Sequence, residues 1–179
     1  WKVSGGDAKE SIGGRVSPER TYAKIQIRSL LNLQVNIRFL KKVASGALFH
    51  EQVHKDKEVS IVLVDNKTIK QLNDKFRGIS EATDVLAFPL GGEFSSTENL
   101  LGEIVISVER AKEAAKEGGH RLKEELALLV VHGILHLLGH ADEKKKEREI
   151  MRNKEGKILE SLGIKINPVR DKISNGVKI

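Results

Sequence analysis

LALLVVHGILHLL, residues Leu126–Leu138, carries no charged side chain and no Pro, and its first Gly is Gly133. Apolar nearly all the way round, it reads as a helix in the middle of a domain rather than on its surface. His132 and His136 stand four residues apart, about one helical turn, so both imidazoles leave the same face and can close on one metal ion. Polar groups buried without partners are costly, and two on one face need a shared explanation. A hydrogen-bonded pair of core histidines is the competing reading. Gly139 follows, where glycine can end the helix and turn the chain back, bringing His140 or Asp142 round as a third ligand. Three protein ligands leave a coordination position for water, as in catalytic zinc sites, whereas structural sites usually take four, often cysteines. The chain has no cysteine. In the zinc-peptidase helix His-Glu-x-x-His the glutamate is the general base; here Gly133 takes that position.

Working outward, 179 residues at 39% hydrophobic suit one compact domain with tails. Lys and Arg number 31 against 25 Asp and Glu, a net charge of +6, which suits a polyanionic partner but also an ordinary solvated surface. Aromatics make up 4%, which gives little sign of a base-stacking platform. No run reaches the roughly 18 to 20 apolar residues that span a bilayer. Residues 1–21 are rich in Gly and Ser without an apolar core, so they read as a flexible extension rather than a signal peptide. The absence of cysteine and of an export signal points to the cytoplasm.

The folded part is expected over residues 22–162. Ala23, Ile25 and Ile27 alternate with polar residues as in a half-buried strand. Asn36 is a candidate N-cap for a helix with Phe39, Leu40, Val43, Ala47 and Leu48 at helical spacing. Val59–Val64 is a β-branched run fit for a central strand, and a short helix follows through Ile69 and Leu72. A loop around Gly78 leads to a strand over Asp84–Pro89, stopped by Pro89 and by Gly91 and Gly92. Phe94–Asn99 reads as a polar, mobile loop. Ile104–Ile106 is a further strand, and Ser107–Glu117 a helix ending at Gly118 and Gly119. Beyond the histidine helix, Glu143–Leu162 reads as an amphipathic helix with Ile150, Met151, Ile158 and Leu162 inward, and Lys144, Lys145 and Lys146 on a solvated face, with an RNA contact as the alternative. Residues 163–179 read as a flexible tail.

A second constellation joins Asn73-Asp74-Lys75-Phe76-Arg77 to Thr83-Asp84-Val85-Leu86-Ala87-Phe88-Pro89. A fixed guanidinium suits a phosphate, so Arg77 is a candidate phosphate clamp, with a surface ion pair to Asp74 or Glu81 as the alternative. In this order, with Leu101-Gly102-Glu103-Ile104-Val105-Ile106 between the second motif and the histidines, the chain resembles the YbeY family of bacterial ribosomal-RNA maturation factors. That family's histidine motif is His-Gly-x-Leu-His-Leu-x-Gly-Tyr-Asp-His, matched here from His132 through Gly139. The resemblance implies an α+β fold: a small mixed four-stranded sheet surrounded by helices, with the histidine helix at its centre. It also implies a zinc-dependent, single-strand-specific endoribonuclease acting on small-subunit ribosomal RNA in maturation and ribosome quality control. His132 and His136 would be zinc ligands and Arg77 the arginine needed for activity.

The chain departs from the family at the third ligand. The family's last histidine falls at Asp142, while Tyr-Asp becomes His140-Ala141. Three readings stay open: Asp142 completes the site, His140 does, or the site is lost and the protein is a non-catalytic RNA- or ribosome-binding factor. A zinc peptidase is the remaining enzyme reading. The general base is unassigned; metal-bound hydroxide would serve, and Glu103 is a position to test against a structural hydrogen-bonding role.

Overall fold

The computed structural model describes residues 23–32, 34–90 and 99–166. The N-terminal extension, most of the Phe94–Asn99 loop, Gly91, Gly92 and the tail beyond residue 166 lie outside the described residues.

Strand β1, Lys24–Ser29, alternates exposed and half-buried residues along its length, as its sequence pattern requires of an edge strand. Helix α1, Ile37–His50, starts where the Asn36 side chain accepts a hydrogen bond from the Phe39 amide at 2.9 Å. It returns the chain so that β2, Glu58–Val64, lies parallel to β1. Helix α2, Asn66–Arg77, is capped by Asp65 at its start and ends at Gly78, whose φ of 69° fits the left-handed turn. Strand β3, Val85–Pro89, runs antiparallel to β4, Leu100–Ser107, and β4 pairs in parallel with β2. The sheet order is β1-β2-β4-β3, a mixed sheet whose central strands carry the longest buried runs.

Helices α3, Val108–Glu117, α4, Leu122–Leu137, and α5, Lys145–Ser161, complete the domain. Every residue from Glu125 to Leu137 is buried, because α4 packs against α1, α3, α5, β3 and β4. The expected α+β architecture with a central histidine helix is therefore the one observed. One face of the sheet supplies Ile61, Leu63, Ile104 and Ile106 to the main core with α1 and α4. The other supplies Val62, Val64, Leu86 and Val105 to a smaller core under Ile69 of α2.

Two glycines set how closely α4 approaches β4. A Cβ on Gly133 would lie 2.7 Å from Ile104 Cγ2, so the helix rests on the strand at that point. A Cβ on Gly102 would lie 2.3 Å from the Phe88 carbonyl oxygen and 2.7 Å from Leu137 Cδ2, at a φ of 155° that disfavours other residues.

The expected inward set of α5 needs one correction. Ile150 is 49% exposed, while Met151, Ile158 and Leu159 are buried. Ile150 and Met151 lie about 100° apart on a helix and cannot share a narrow stripe. The stripe that packs is Met151, Glu155, Ile158 and Leu159, with Leu162 against the core beyond the helix end. Ile164 and Ile166 also pack on the core, after a turn at Gly163.

Candidate metal centre

Helix α4 ends in a Schellman turn: Gly139, at φ 94°, donates its amide to the His136 carbonyl at 2.9 Å, and His140 donates to the Leu135 carbonyl at 3.0 Å. The turn folds the chain back over the last turn of the helix and brings Asp142 to the histidines. Arg148 steadies it by donating from Nη1 to the Asp142 carbonyl at 3.2 Å.

The two imidazoles are buried, and their Nε2 atoms face each other at 3.0 Å. Each ring's Nδ1 is engaged elsewhere. His132 Nδ1 lies 2.6 Å from Glu155 Oε1, and His136 Nδ1 lies 2.9 Å from the His140 carbonyl oxygen. A carbonyl only accepts, and a carboxylate accepts when ionised, so these partners place the hydrogens on Nδ1 and leave both Nε2 lone pairs pointing inward. The Asp142 carboxylate closes the group, with Oδ2 3.8 Å from His132 Nε2 and Oδ1 3.8 Å from His136 Nε2. All three donor atoms lie within 4.8 Å of one another. A tetrahedral zinc ion with bonds of about 2.0 to 2.2 Å needs ligand atoms roughly 3.3 to 3.6 Å apart, so small movements suffice. Three converging electron pairs with no donor among them fit a divalent cation in chemistry as well as in spacing.

Burial pushes the Asp142 carboxyl above its ordinary range; His132 pulls it down, and the nearby Glu155 charge pushes it up again. The direction is that of a carboxylate whose charge is costly unless a cation shares the site.

His140, the other expected third ligand, is turned away. Its Nε2 lies 3.2 Å from Glu51 Oε2 at the end of α1, and its contribution to the centre is the backbone carbonyl that orients His136. Glu51 is held by Lys154 Nζ at 2.9 Å, which ties α5 to α1. Burial raises the Glu51 pKa, but the hydrogen bonds from Lys154, His50 and His140 outweigh it, and the net shift is downward.

Arg77 stands on α2, the helix over the opposite sheet face. Its Nη1 donates to Asn73 Oδ1 at 3.2 Å, and buried Asn73 donates to the Glu81 carbonyl at 2.8 Å. Glu103 accepts from the Ser60 hydroxyl at 2.9 Å. It alternates with Ile104 and shares the α2 side with Val105, so its side chain leaves the sheet away from the histidine helix.

Glu155, Glu51 and Lys154 were not singled out from the sequence. The available sign was Glu155 itself, four residues after Met151 and three before Ile158: a carboxylate on the buried stripe of a helix needs a partner.

Gly133 also decides against a peptidase helix. Its Cβ position points into Ile104, so a glutamate there would enter the sheet and not the metal-binding face.

A mixed sheet with a buried helix that offers two imidazoles and a carboxylate at one end defines an α+β protein with a group that could hold a metal ion. The family model described as Endoribonuclease YbeY matches residues 24–163. An Endoribonuclease YbeY from Caldanaerobacter subterraneus subsp. tengcongensis is 41% identical over 158 residues, covering 75% of this chain and 99% of that protein. One from Carboxydothermus hydrogenoformans is 51% identical over 106 residues, 59% of this chain and 73% of its own length. Among solved structures, a Thermotoga maritima protein determined in solution matches with a TM-score of 0.52 and 28% identity, over 78% of this chain and 91% of that one. The chain belongs to the YbeY endoribonuclease family.

Proposed function

We propose that this chain is a zinc-dependent endoribonuclease that cuts single-stranded RNA, with small-subunit ribosomal RNA as its substrate during maturation and quality control of the ribosome in the cytoplasm. The observation that supports it most is the pair of Nε2 atoms 3.0 Å apart, each ring fixed through Nδ1, with the Asp142 carboxylate closing the group. His132, His136 and Asp142 are the proposed ligands, and two imidazoles with one carboxylate suit zinc. An ion held there would supply Lewis acidity to the reacting phosphodiester and water.

The chain's own residues do the rest. Glu155 and the His140 carbonyl lock both rings, so that the lone pairs are aimed before any ligand arrives. Arg77, its guanidinium steadied by Asn73, binds the scissile phosphodiester and stabilises the charge that builds on it. The net charge of +6 draws the strand in, with affinity falling as salt rises.

One observation favours a second reading, a binding factor without cleavage: the third position is aspartate where the family motif has histidine. The deciding experiment uses end-labelled single-stranded and duplex RNA with the purified chain as isolated, after chelation, and after zinc is restored. Cuts confined to the single strand, lost on chelation and regained with zinc, are expected. Arg77→Ala should bind RNA but not cut it. Binding without cleavage by fully zinc-loaded protein overturns the nuclease reading in favour of the binding factor.

A further inference from the structure

The small core under α2 ends in an aromatic pair. Ile69, Leu72, Asn73 and Phe76 fall at spacings of three and four and form the helix's inward stripe, whose last member is only partly covered. Phe76 is 45% exposed, and its ring meets Phe88 edge to face, with centroids 5.1 Å apart and planes at 71°. Lys75 Nζ stands 5.2 Å from the centre of the Phe76 ring. On α2, Lys67, Lys70, Lys75 and Arg77 oppose a single acid, Asp74. Glu103, across the strand pair from Phe88, is bound to Ser60.

This surface adjoins the proposed phosphate clamp, since Phe76 immediately precedes Arg77 on α2. A Cβ on Gly102 would meet both the Phe88 carbonyl and the Leu137 side chain, and Leu137 follows His136. Gly102 thus lies between β3, whose Phe88 ring faces α2, and the helix carrying the histidines. A single exposed phenylalanine on a protein surface means little. An aromatic ring among cations, next in sequence to the proposed phosphate clamp of an enzyme that acts on RNA, meets both needs of single-strand binding: a stacking face and charges for the backbone.

We propose that Phe76, braced by Phe88, is a stacking platform for an unpaired base of the substrate strand flanking the scissile phosphate, with Lys75 moving from the ring to a neighbouring phosphate when the base arrives. The proposal rests on the reading of single-stranded RNA as the substrate and adds a subsite to it. The low aromatic content pointed the other way because a total does not show that two of five phenylalanines meet. A base stacked on Phe76 must be free of its Watson–Crick partner, which gives this surface a part in selecting single strands.

The test is fluorescence anisotropy of a labelled 12-nucleotide single-stranded RNA and of its duplex, read on ice with the zinc-loaded full chain, with gels verifying that the RNA stays intact. Phe76→Leu keeps an apolar contact with Phe88 and removes the flat face. It should weaken single-strand binding by about five- to twentyfold and leave the slope of affinity against salt unchanged. Lys70→Ala should instead lower that slope by about one. Scanning one abasic nucleotide along the RNA should reveal a position that weakens the wild type and has no effect on Phe76→Leu. Melting temperatures check that each variant is folded, and Phe76→Tyr, which retains a ring, should restore binding. If the wild type binds the single strand but Phe76→Leu and the abasic series change nothing, the platform is wrong and the nuclease reading survives. If zinc-loaded wild type fails to bind single-stranded RNA, both fall together.

Discussion

Replacing Glu155 with glutamine isolates the charge behind His132. The carboxylate oxygen lies 2.6 Å from His132 Nδ1, with side-chain exposures of 8% and 3%, so solvent screens the pair little. Adding the width of the ring and a metal–nitrogen bond of about 2.1 Å places the carboxylate roughly 6 to 7 Å from a bound ion. One negative charge and a divalent ion at that distance attract by about 5 kcal/mol at an effective dielectric of about 20. That figure is a ceiling, because glutamine's carbonyl still accepts from Nδ1, and because losing the Glu155 charge relieves Asp142 in the metal-free protein. Orienting partners of this kind are generally worth about 10- to 100-fold in metal affinity. With both partners buried, Glu155→Gln should weaken zinc binding by roughly 30- to 100-fold, about 2 to 2.7 kcal/mol. Competition against a chromophoric zinc chelator measures this, and the melting temperature of the chelated protein separates it from a folding defect. The metal-free variant should melt no lower than the wild type, since a buried charge has been removed. Glu155→Asp, which keeps the charge on a shorter arm, should recover part of the affinity. Zinc affinity within about twofold of wild type in a folded Glu155→Gln would refute the argument.

Further outcomes follow from the same geometry. Asp142→Ala should lose near-stoichiometric zinc on purification while His140→Ala retains it, measured by elemental analysis; the reverse pattern would reassign the third ligand. Gly133→Ala gains about 1 kcal/mol of helix propensity but must displace Ile104 at a cost of about 1 to 3, so a net loss near 1 kcal/mol and a melting point lower by roughly 3 °C are expected. Gly102→Ala meets the Phe88 carbonyl rather than a movable side chain and should cost about 3 kcal/mol, with the β3–β4 pairing the first element lost in hydrogen exchange.

Much of this was legible because local rules and the fold agree. Asn36 caps α1, Gly139 ends α4, and the β-branched run Val59–Val64 lies at the centre of the sheet, each for the reason visible in the sequence. What escaped was set by tertiary contact. Ile150 and Met151 are equally apolar neighbours, and only the position of α5 against α1 and α4 selects Met151 for the core. Glu155 and Lys154 read as ordinary helix charges until α5 is docked, when one reaches His132 and the other Glu51. Glu103 was open between two roles because strand alternation does not say which face holds the histidines.

An aspartate at position 142 changes the charge of the centre. Two neutral imidazoles, a divalent ion and the two carboxylates Asp142 and Glu155 sum to zero, whereas a histidine in the third position would leave one net positive charge. A neutral buried assembly is the less costly one to desolvate. The same exchange penalises the metal-free protein, where two carboxylates share one small site and Asp142 is shifted upward by burial and by Glu155. For a carboxyl whose folded-state pKa lies above its unfolded value, stability is full below the unfolded pKa and is lost as pH rises through the folded one. At neutral pH the chelated chain therefore bears the cost of the ionised Asp142. Asp142→Asn should remove that cost: the chelated variant should melt above chelated wild type at pH 7, with the gain shrinking as pH falls below the raised Asp142 pKa. With zinc the order should invert, since the amide gives up the charge that neutralises the ion. Chelated wild type as stable as Asp142→Asn across this pH range would mean that Asp142 carries no such cost.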